Sequence, residues 1–144
     1  AMKTPERRGE SLVVTHGDGR LFVQTLLPRD PNVALHDGDD LYRYGGRAYP
    51  PERDTGPAPE CRVEVSPREV STVDYFLHVL TASSAATDDV PAAALAEDGG
   101  AFVVAVGDAE ARFARDQIGG TLRVGGRERV LSAVIRPTTA PSGR

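Results

Sequence analysis

Short stretches in which polar and apolar residues alternate, separated by turns rich in glycine and proline, run along most of this chain. A period of two is typical of β-strands, because successive side chains of a strand point to opposite faces of the sheet. The 3.6-residue period of an amphipathic helix is almost missing, and parallel strands would need crossover helices. About eight to ten strands with turns at short spacing therefore predict an all-β fold, an antiparallel β-sandwich.

The clearest hairpin is predicted near the start of the chain. Residues 11–15 and 21–27 have the pattern of strands, and the segment between them contains two glycines that suit a tight turn. Pro28 ends the second strand, since proline cannot donate to a sheet ladder. By the same logic we expect a small hairpin around Gly45 and Gly46, and further strands at residues 101–106, 109–115, 121–124 and 127–136.

The segment from residue 62 to residue 80 carries two more predicted strands. Residues 62–65 alternate charged and β-branched side chains, so one face should be wet and the other dry. Residues 74–80 are denser in apolar groups, which indicates a strand covered on most of both faces. A short polar link joins these two strands, which is typical of strands in sheets that pack on each other.

The predicted β-sandwich domain extends over residues 11–137. Residues 1–10 and 138–144 are predicted to be disordered tails, and Ala1-Met2 has the look of a cloning scar. Residues 50–60 hold four prolines and are expected to form a long surface loop. Residues 90–96 suit either a short helix or a loop, and the pattern leaves both open.

Three segments resemble a known family. The sequences RVEVSP (residues 62–67), FLHVL (76–80) and DGRLFVQTLLP (18–28) are similar to the C-terminal sandwich region of the heparinase II/III-like polysaccharide lyases, over about residues 11–137. The matching residues are ones that pack within the sandwich, so the resemblance implies a fold more directly than a chemistry. One departure is Cys61, which stands where the family would have a bulky aromatic residue.

The resemblance implies a function for a parent enzyme rather than for this chain alone. Enzymes of that family cleave uronate-containing polysaccharides by β-elimination, with a Tyr or His base that takes the proton at sugar C5. Their catalytic groups belong mostly to a large helical toroid, of which this sequence has no trace. We therefore expect a non-catalytic C-terminal β-sandwich domain of a bacterial polysaccharide lyase. Its role would be structural or a dimer contact, its partners the neighbouring lyase domains, and its parent secreted or periplasmic.

A stand-alone carbohydrate-binding or protein-interaction module is the alternative. Sugar rings stack on exposed aromatic side chains, and the chain has no Trp. Tyrosines are therefore the candidates, with arginines near them that could meet an acidic sugar through a bidentate fork. In a strand, Tyr42 and Tyr44 would point the same way. The candidate sugar-binding residues are Tyr42, Arg43, Tyr44, Arg47 and Tyr49.

Composition narrows the classes of partner. The net charge is −4, and Lys3 is the only lysine beside sixteen arginines, a bias that high-GC coding explains as well as binding does. Basic residues spread among 21 acids argue against a nucleic-acid partner. No apolar run is long enough for a membrane span, and a single Cys cannot form a disulfide within one chain.

The remaining candidates for chemistry have structural interpretations. The turn residues His16, Asp18, His36, Asp37, Asp39 and Asp40 are of metal-ligand types, but their spacing fits no ligand motif and favours solvated turns. Cys61 follows a proline-rich loop, and we expect it to be a small buried apolar side chain. His78 lies in an apolar strand. We therefore predict no catalytic residue, no metal and no cofactor in this chain.

Overall fold

The computed structural model describes residues 5–8, 11–53, 56 and 59–132. Every strand pair in this part of the chain is antiparallel, in sheets of four, five, two and two strands. The predicted class, an all-β antiparallel sandwich, is confirmed. The predicted tail 138–144 and the scar at residues 1–2 lie outside the described residues.

Strands account for most of the described residues, and one 3₁₀ turn lies at Gly38–Asp40. In chain order the strands are β1 (Glu6–Arg8), β2 (Ser11–His16), β3 (Gly19–Leu27), β4 (Asn32–Asp37), β5 (Arg43–Tyr44), β6 (Arg47–Ala48), β7 (Cys61–Ser66), β8 (Leu77–Ser84), β9 (Ala94–Asp98), β10 (Ala101–Val106), β11 (Ala109–Ala114), β12 (Gly120–Val124) and β13 (Arg127–Leu131).

The chain divides into two compact units, Ala1–Val90 and Pro91–Arg144. The first contains the sheet β1-β2-β3-β8 and two separate two-stranded ribbons, β4-β7 and β5-β6. Strands β2 and β3 form the predicted hairpin, closed by a turn at Gly17 and Asp18. Val13 lies opposite Phe22, and both are buried on one face of the sheet as the period of two requires.

The second unit contains a five-stranded sheet in which each strand pairs with the next along the chain, from β9 to β13. Phe102 on β10 lies opposite Phe113 on β11, and Phe102 and Val104 are buried. Tight turns containing glycines with positive φ connect several of these strands, as at Gly125 and Gly126. The strands predicted at residues 101–106, 109–115 and 121–124 are thus found within a residue of their predicted bounds.

The strand predicted at residues 74–80 is misplaced. Strand β8 begins at Leu77 and continues to Ser84, because it pairs with β3 along its whole length, from Leu27 opposite Leu77 to Gly19 opposite Ser84. The Ala- and Ser-rich end of β8 has little strand pattern of its own. Backbone hydrogen bonds to the neighbouring strand hold it in the sheet. The expected cover on both faces is also wrong, since Phe76 and Leu80 are exposed.

Two other segments differ from their predicted state. Residues 6–8, assigned to the first tail, form β1 and pair with β2. The second is the stretch 90–96, for which a helix or a loop is expected. Its last three residues belong to a strand, because β9 begins at Ala94 and pairs with β10. In both cases the partner strand lies only a few residues away along the chain.

Candidate functional site

The hairpin formed by β5 and β6 carries two exposed tyrosines side by side. Tyr44 ends β5 and Tyr49 follows β6, and their exposed fractions are 47% and 53%. Their ring centroids lie 6.1 Å apart with an angle of 60° between the planes. This edge-to-face arrangement is a favourable one for two aromatic rings. It leaves an angled aromatic surface open to solvent.

Two arginines flank this tyrosine pair, one at each end. The guanidinium carbon of Arg47 lies 5.4 Å from the ring centroid of Tyr49, and that of Arg62 lies 4.1 Å from the ring centroid of Tyr44. Both distances fall within the reach of a cation–π interaction, about 6 Å. The four side chains, which we call the Tyr–Arg row, are Arg62, Tyr44, Tyr49 and Arg47.

Arg62 holds the row against strand β7. Its Nε donates to the carbonyl of Leu41 at 3.1 Å, and its Nη2 donates to the carbonyl of Arg43 at 2.9 Å. Leu41 is buried, so this end of the segment also has an apolar anchor. Because the Arg62 side chain is only 17% exposed and its donors are engaged, we assign it a positioning role.

A carboxylate and a histidine complete the surroundings of Arg62. Strands β4 and β7 place His36 opposite Arg62, with Glu64 two residues further along β7 on the same face. Glu64 Oε2 lies 3.2 Å from Arg62 Nη1 and 2.7 Å from His36 Nε2. The His36 contact lacks the alignment of a hydrogen bond, so it is a close polar contact and not a directed bond.

At the other end of the row, Arg47 is differently placed. It is exposed, and within the described ranges no carboxylate pairs with it. Its guanidinium is therefore available to a carboxylate or sulfate of a ligand, which it can bind with two parallel hydrogen bonds. An aromatic face beside an available guanidinium is a chemical combination that suits an acidic sugar.

Of the five predicted sugar-binding residues, the structure brings three together, Tyr44, Arg47 and Tyr49. Tyr42 is half-buried in the turn before β5, where its carbonyl accepts a hydrogen bond from the Tyr49 amide at 2.8 Å. Tyr42 and Tyr44 are not neighbours in one strand as predicted, because β5 begins only at Arg43.

Arg43 is engaged within the hairpin. Its Nε lies 3.2 Å from Asp40 Oδ1, and its Nη1 donates to the carbonyl of Gly46 at 3.1 Å. Arg62 is the residue that sequence reasoning missed as part of the site. Its only local signal was its place in an alternating strand, and the partners that define its role lie about twenty residues earlier in the chain.

Cys61 begins β7 next to the site. Partial burial raises the pKa of its thiol above the ordinary value, with further contributions from the negative charges of Glu60 and Asp37. A raised pKa keeps the thiol protonated at neutral pH, which opposes nucleophilic chemistry.

The other side chains of candidate chemistry stay apart or have structural partners. No three His, Cys, Asp or Glu residues in the described part of the chain are grouped so that they could hold a metal ion. His78 Nδ1 lies 3.1 Å from the Thr25 hydroxyl of the adjacent strand, which gives this histidine a partner within the sheet.

Neither a protein-family model nor a curated protein matches the chain. Among the described residues, no helix has the length and apolar character needed to cross a membrane.

Proposed function

We propose that this chain is a non-catalytic β-domain that binds an acidic polysaccharide through the Tyr–Arg row. The observation that carries the proposal is the exposed pair Tyr44 and Tyr49 beside Arg47, whose guanidinium has no carboxylate partner in the described ranges. A sugar ring presents C–H groups on one face, and these pack on an aromatic ring. A uronate carboxylate on the same sugar then meets Arg47.

The two ends of the row have different roles in this proposal. Arg62 covers one face of Tyr44 and fixes the hairpin, so Tyr44 acts mainly as the inner wall of the surface. Tyr49 and Arg47 make the direct contacts. Preorganisation by Arg62 lowers the entropy lost when the ligand binds, because the hairpin is held before the sugar arrives.

Calorimetric titration with uronate oligosaccharides from alginate, hyaluronan, heparan sulfate and heparin tests the proposal. We expect measurable affinity for at least one of them, and Tyr49→Ala should weaken it by roughly tenfold, the loss of one stacking contact. Arg47→Gln should weaken binding similarly and reduce its dependence on salt. Tyr75→Ala is the matched control, since Tyr75 is exposed but lies outside the row. Absence of binding, or equal affinity of Tyr49→Ala and the unaltered chain, contradicts the proposal.

A second candidate function has its own observation. Val70, Val73, Phe76 and Leu80 are exposed apolar side chains within eleven residues of one another, which is more than scattered surface positions normally show. Contact with a neighbouring domain or with a second copy of the chain would cover such a surface. Together with the resemblance of residues 62–67 and 76–80 to that family, this surface supports our second proposal, an accessory domain of a heparinase II/III-like polysaccharide lyase in a secreted or periplasmic parent.

The two candidates predict different outcomes for the isolated chain. Both predict that it releases no unsaturated uronate products, measured by absorbance, from the four polysaccharides named above. Binding without cleavage favours the polysaccharide-binding module, and the absence of both binding and cleavage favours the accessory domain. Cleavage would contradict both, and mutation of His16, Tyr42 and His78 would then locate the base.

A further inference from the structure

Strand β8 lies at the edge of the four-stranded sheet, and among the described strands it pairs there only with β3. The amide of Ala85 donates to the carbonyl of Asp18 at 2.8 Å, and this bond sets the phase of the ladder. Hydrogen-bonded pairs in an antiparallel ladder recur every second residue, so the odd-numbered residues of β8 bond to β3. The amides and carbonyls of His78, Leu80 and Ala82 therefore point away from the sheet.

These outward groups have no partner within the described part of the chain. Natural edge strands are usually protected by lysine, proline, a bulge or very short length. β8 is eight residues long with the sequence LHVLTASS, and it contains neither lysine nor proline. Its one irregularity lies at its start, where the register of β3 shifts between Thr25 and Leu27. The edge from Leu80 onward is regular and uncharged.

We propose that this edge pairs with the same edge of a second copy of the chain, antiparallel and about a two-fold axis. An antiparallel edge is self-complementary, since each donor of one copy meets an acceptor of the other. β8 contains no Asp, Glu, Lys or Arg, so it brings no pair of like charges together across the axis, as a strand rich in Glu or Arg would.

The exposed side chains select one register. Pairing that sets Leu80 opposite Leu80 of the second copy also sets His78 opposite Ala82, and Phe76 opposite Ser84. Leu80 is 62% exposed, and this register buries the two copies of it against each other. Phe76, 54% exposed and just before β8, would lie at the end of the pairing beside Ser84 of the second copy. The result is a sheet of eight strands that continues through the two copies.

The proposal is tested by the oligomeric state of the full chain, measured by sedimentation velocity over a wide range of concentration. We expect a reversible dimer, and Leu80→Lys should raise its dissociation constant at least about tenfold, because two ammonium groups would meet across the axis. Val130→Lys is the matched control, since Val130 is 77% exposed on β13, an edge strand of the other sheet. A monomeric chain overturns the proposal. So does a dimer that Leu80→Lys leaves unchanged, or one that Val130→Lys weakens equally.

A cysteine pair tests the register even if Leu80→Lys fails to fold. In a Cys61→Ala background, Leu80→Cys should form an intermolecular disulfide on mild oxidation, because opposite residues of a bonded pair lie about 5.5 Å apart between Cα atoms. Ser84→Cys should not, since its partner in this register is Phe76. Equal cross-linking at both positions, or none at residue 80, contradicts the proposed pairing.

Discussion

At the scale of single residues, Arg62 explains how a short hairpin with little buried surface is held in place. A guanidinium can donate in several directions at once, and here it reaches the carbonyls of Leu41 and Arg43, the carboxylate of Glu64 and the ring of Tyr44. A lysine could satisfy only part of this set, because its ammonium is a point charge without the planar fork. The exposed tyrosines therefore depend on one arginine of a neighbouring strand.

Replacing this arginine should loosen the hairpin. We expect Arg62→Lys to lower the free energy of unfolding in urea by about 1–3 kcal/mol, as carbonyls lose their donors. Amide exchange of residues 41–49 should become faster. Arg123→Lys is the control, since Arg123 makes an exposed ion pair with Glu110 at 3.0 Å, and its loss should cost under about 1 kcal/mol. Equal effects of the two changes would contradict the anchoring role.

Cys61 gives a prediction about alkaline pH. Its pKa is raised above the ordinary value of 9.0 by partial burial, Glu60 and Asp37. A thiol whose pKa is higher in the folded state contributes stability that is fully present below the unfolded pKa and is lost as pH rises through the folded pKa. We expect the folded chain to react with iodoacetamide at a higher midpoint pH than the chain in urea. Glu60→Gln should move the folded midpoint down.

The single cysteine makes this measurement direct, because every modified thiol is Cys61. Ser66→Cys in a Cys61→Ala background provides a comparison, since Ser66 is an exposed position at the far end of the same strand. Identical midpoints for folded and unfolded Cys61 would show that its surroundings do not disfavour the thiolate.

At the scale of elements, turn residues predict hairpins better than apolar density predicts strand ends. Gly17 and several glycine pairs further along the chain adopt positive φ and form tight turns. Once the turns are located, the strands on either side of them can be predicted. β8 shows the limit. Tyr75 and Phe76 have strand-like side chains, so the sequence predicts a start three residues early, whereas the true extent of β8 is set by its pairing with β3. Local pattern carries no information about a partner fifty residues away.

The site was only partly predictable for the same reason. Tyr44, Arg47 and Tyr49 could be proposed from their nearness in sequence and the turn between them. Arg62 could not, because its contact with Tyr44 depends on how the segment 38–49 lies on β7. Tyr42 lies outside the Tyr–Arg row because β5 begins after it. The residue at which a strand begins depends on small free-energy differences that the sequence pattern does not reveal.

Gly120 at the start of β12 gives a prediction at this scale. Its φ is +155°, and a Cβ there would overlap the carbonyl oxygen of Arg112 on β11. Gly120→Ala must move backbone, so we expect it to lower the free energy of unfolding by about 2–4 kcal/mol. Gly19→Ala is the matched change, because Gly19 also begins a strand but its Cβ would make only an ordinary 3.5 Å contact. Denaturant unfolding of both variants checks this, and similar stabilities would contradict the close approach.

At the scale of the whole molecule, the chain forms two compact units that each contain a sheet. The Tyr–Arg row and the open edge of β8 both belong to the first unit. The second carries a five-stranded antiparallel sheet with the ion pairs Arg112–Asp98 and Arg123–Glu110 between its strands. With a net charge of −4 the chain as a whole does not attract polyanions. Binding of an acidic polysaccharide therefore has to come from local geometry at Arg47.

The most direct test of the binding account is a heteronuclear NMR titration of the labelled chain with a uronate oligosaccharide. We predict saturable shifts that are largest for the amides and side chains of residues 43–49, smaller shifts around Arg62, and none in β10–β12. The same titration of Tyr49→Ala should need roughly tenfold more ligand to reach saturation, while its spectrum remains that of a folded protein. Shifts centred on the second unit, or no saturable shift with any uronate oligosaccharide, would contradict polysaccharide binding by the Tyr–Arg row.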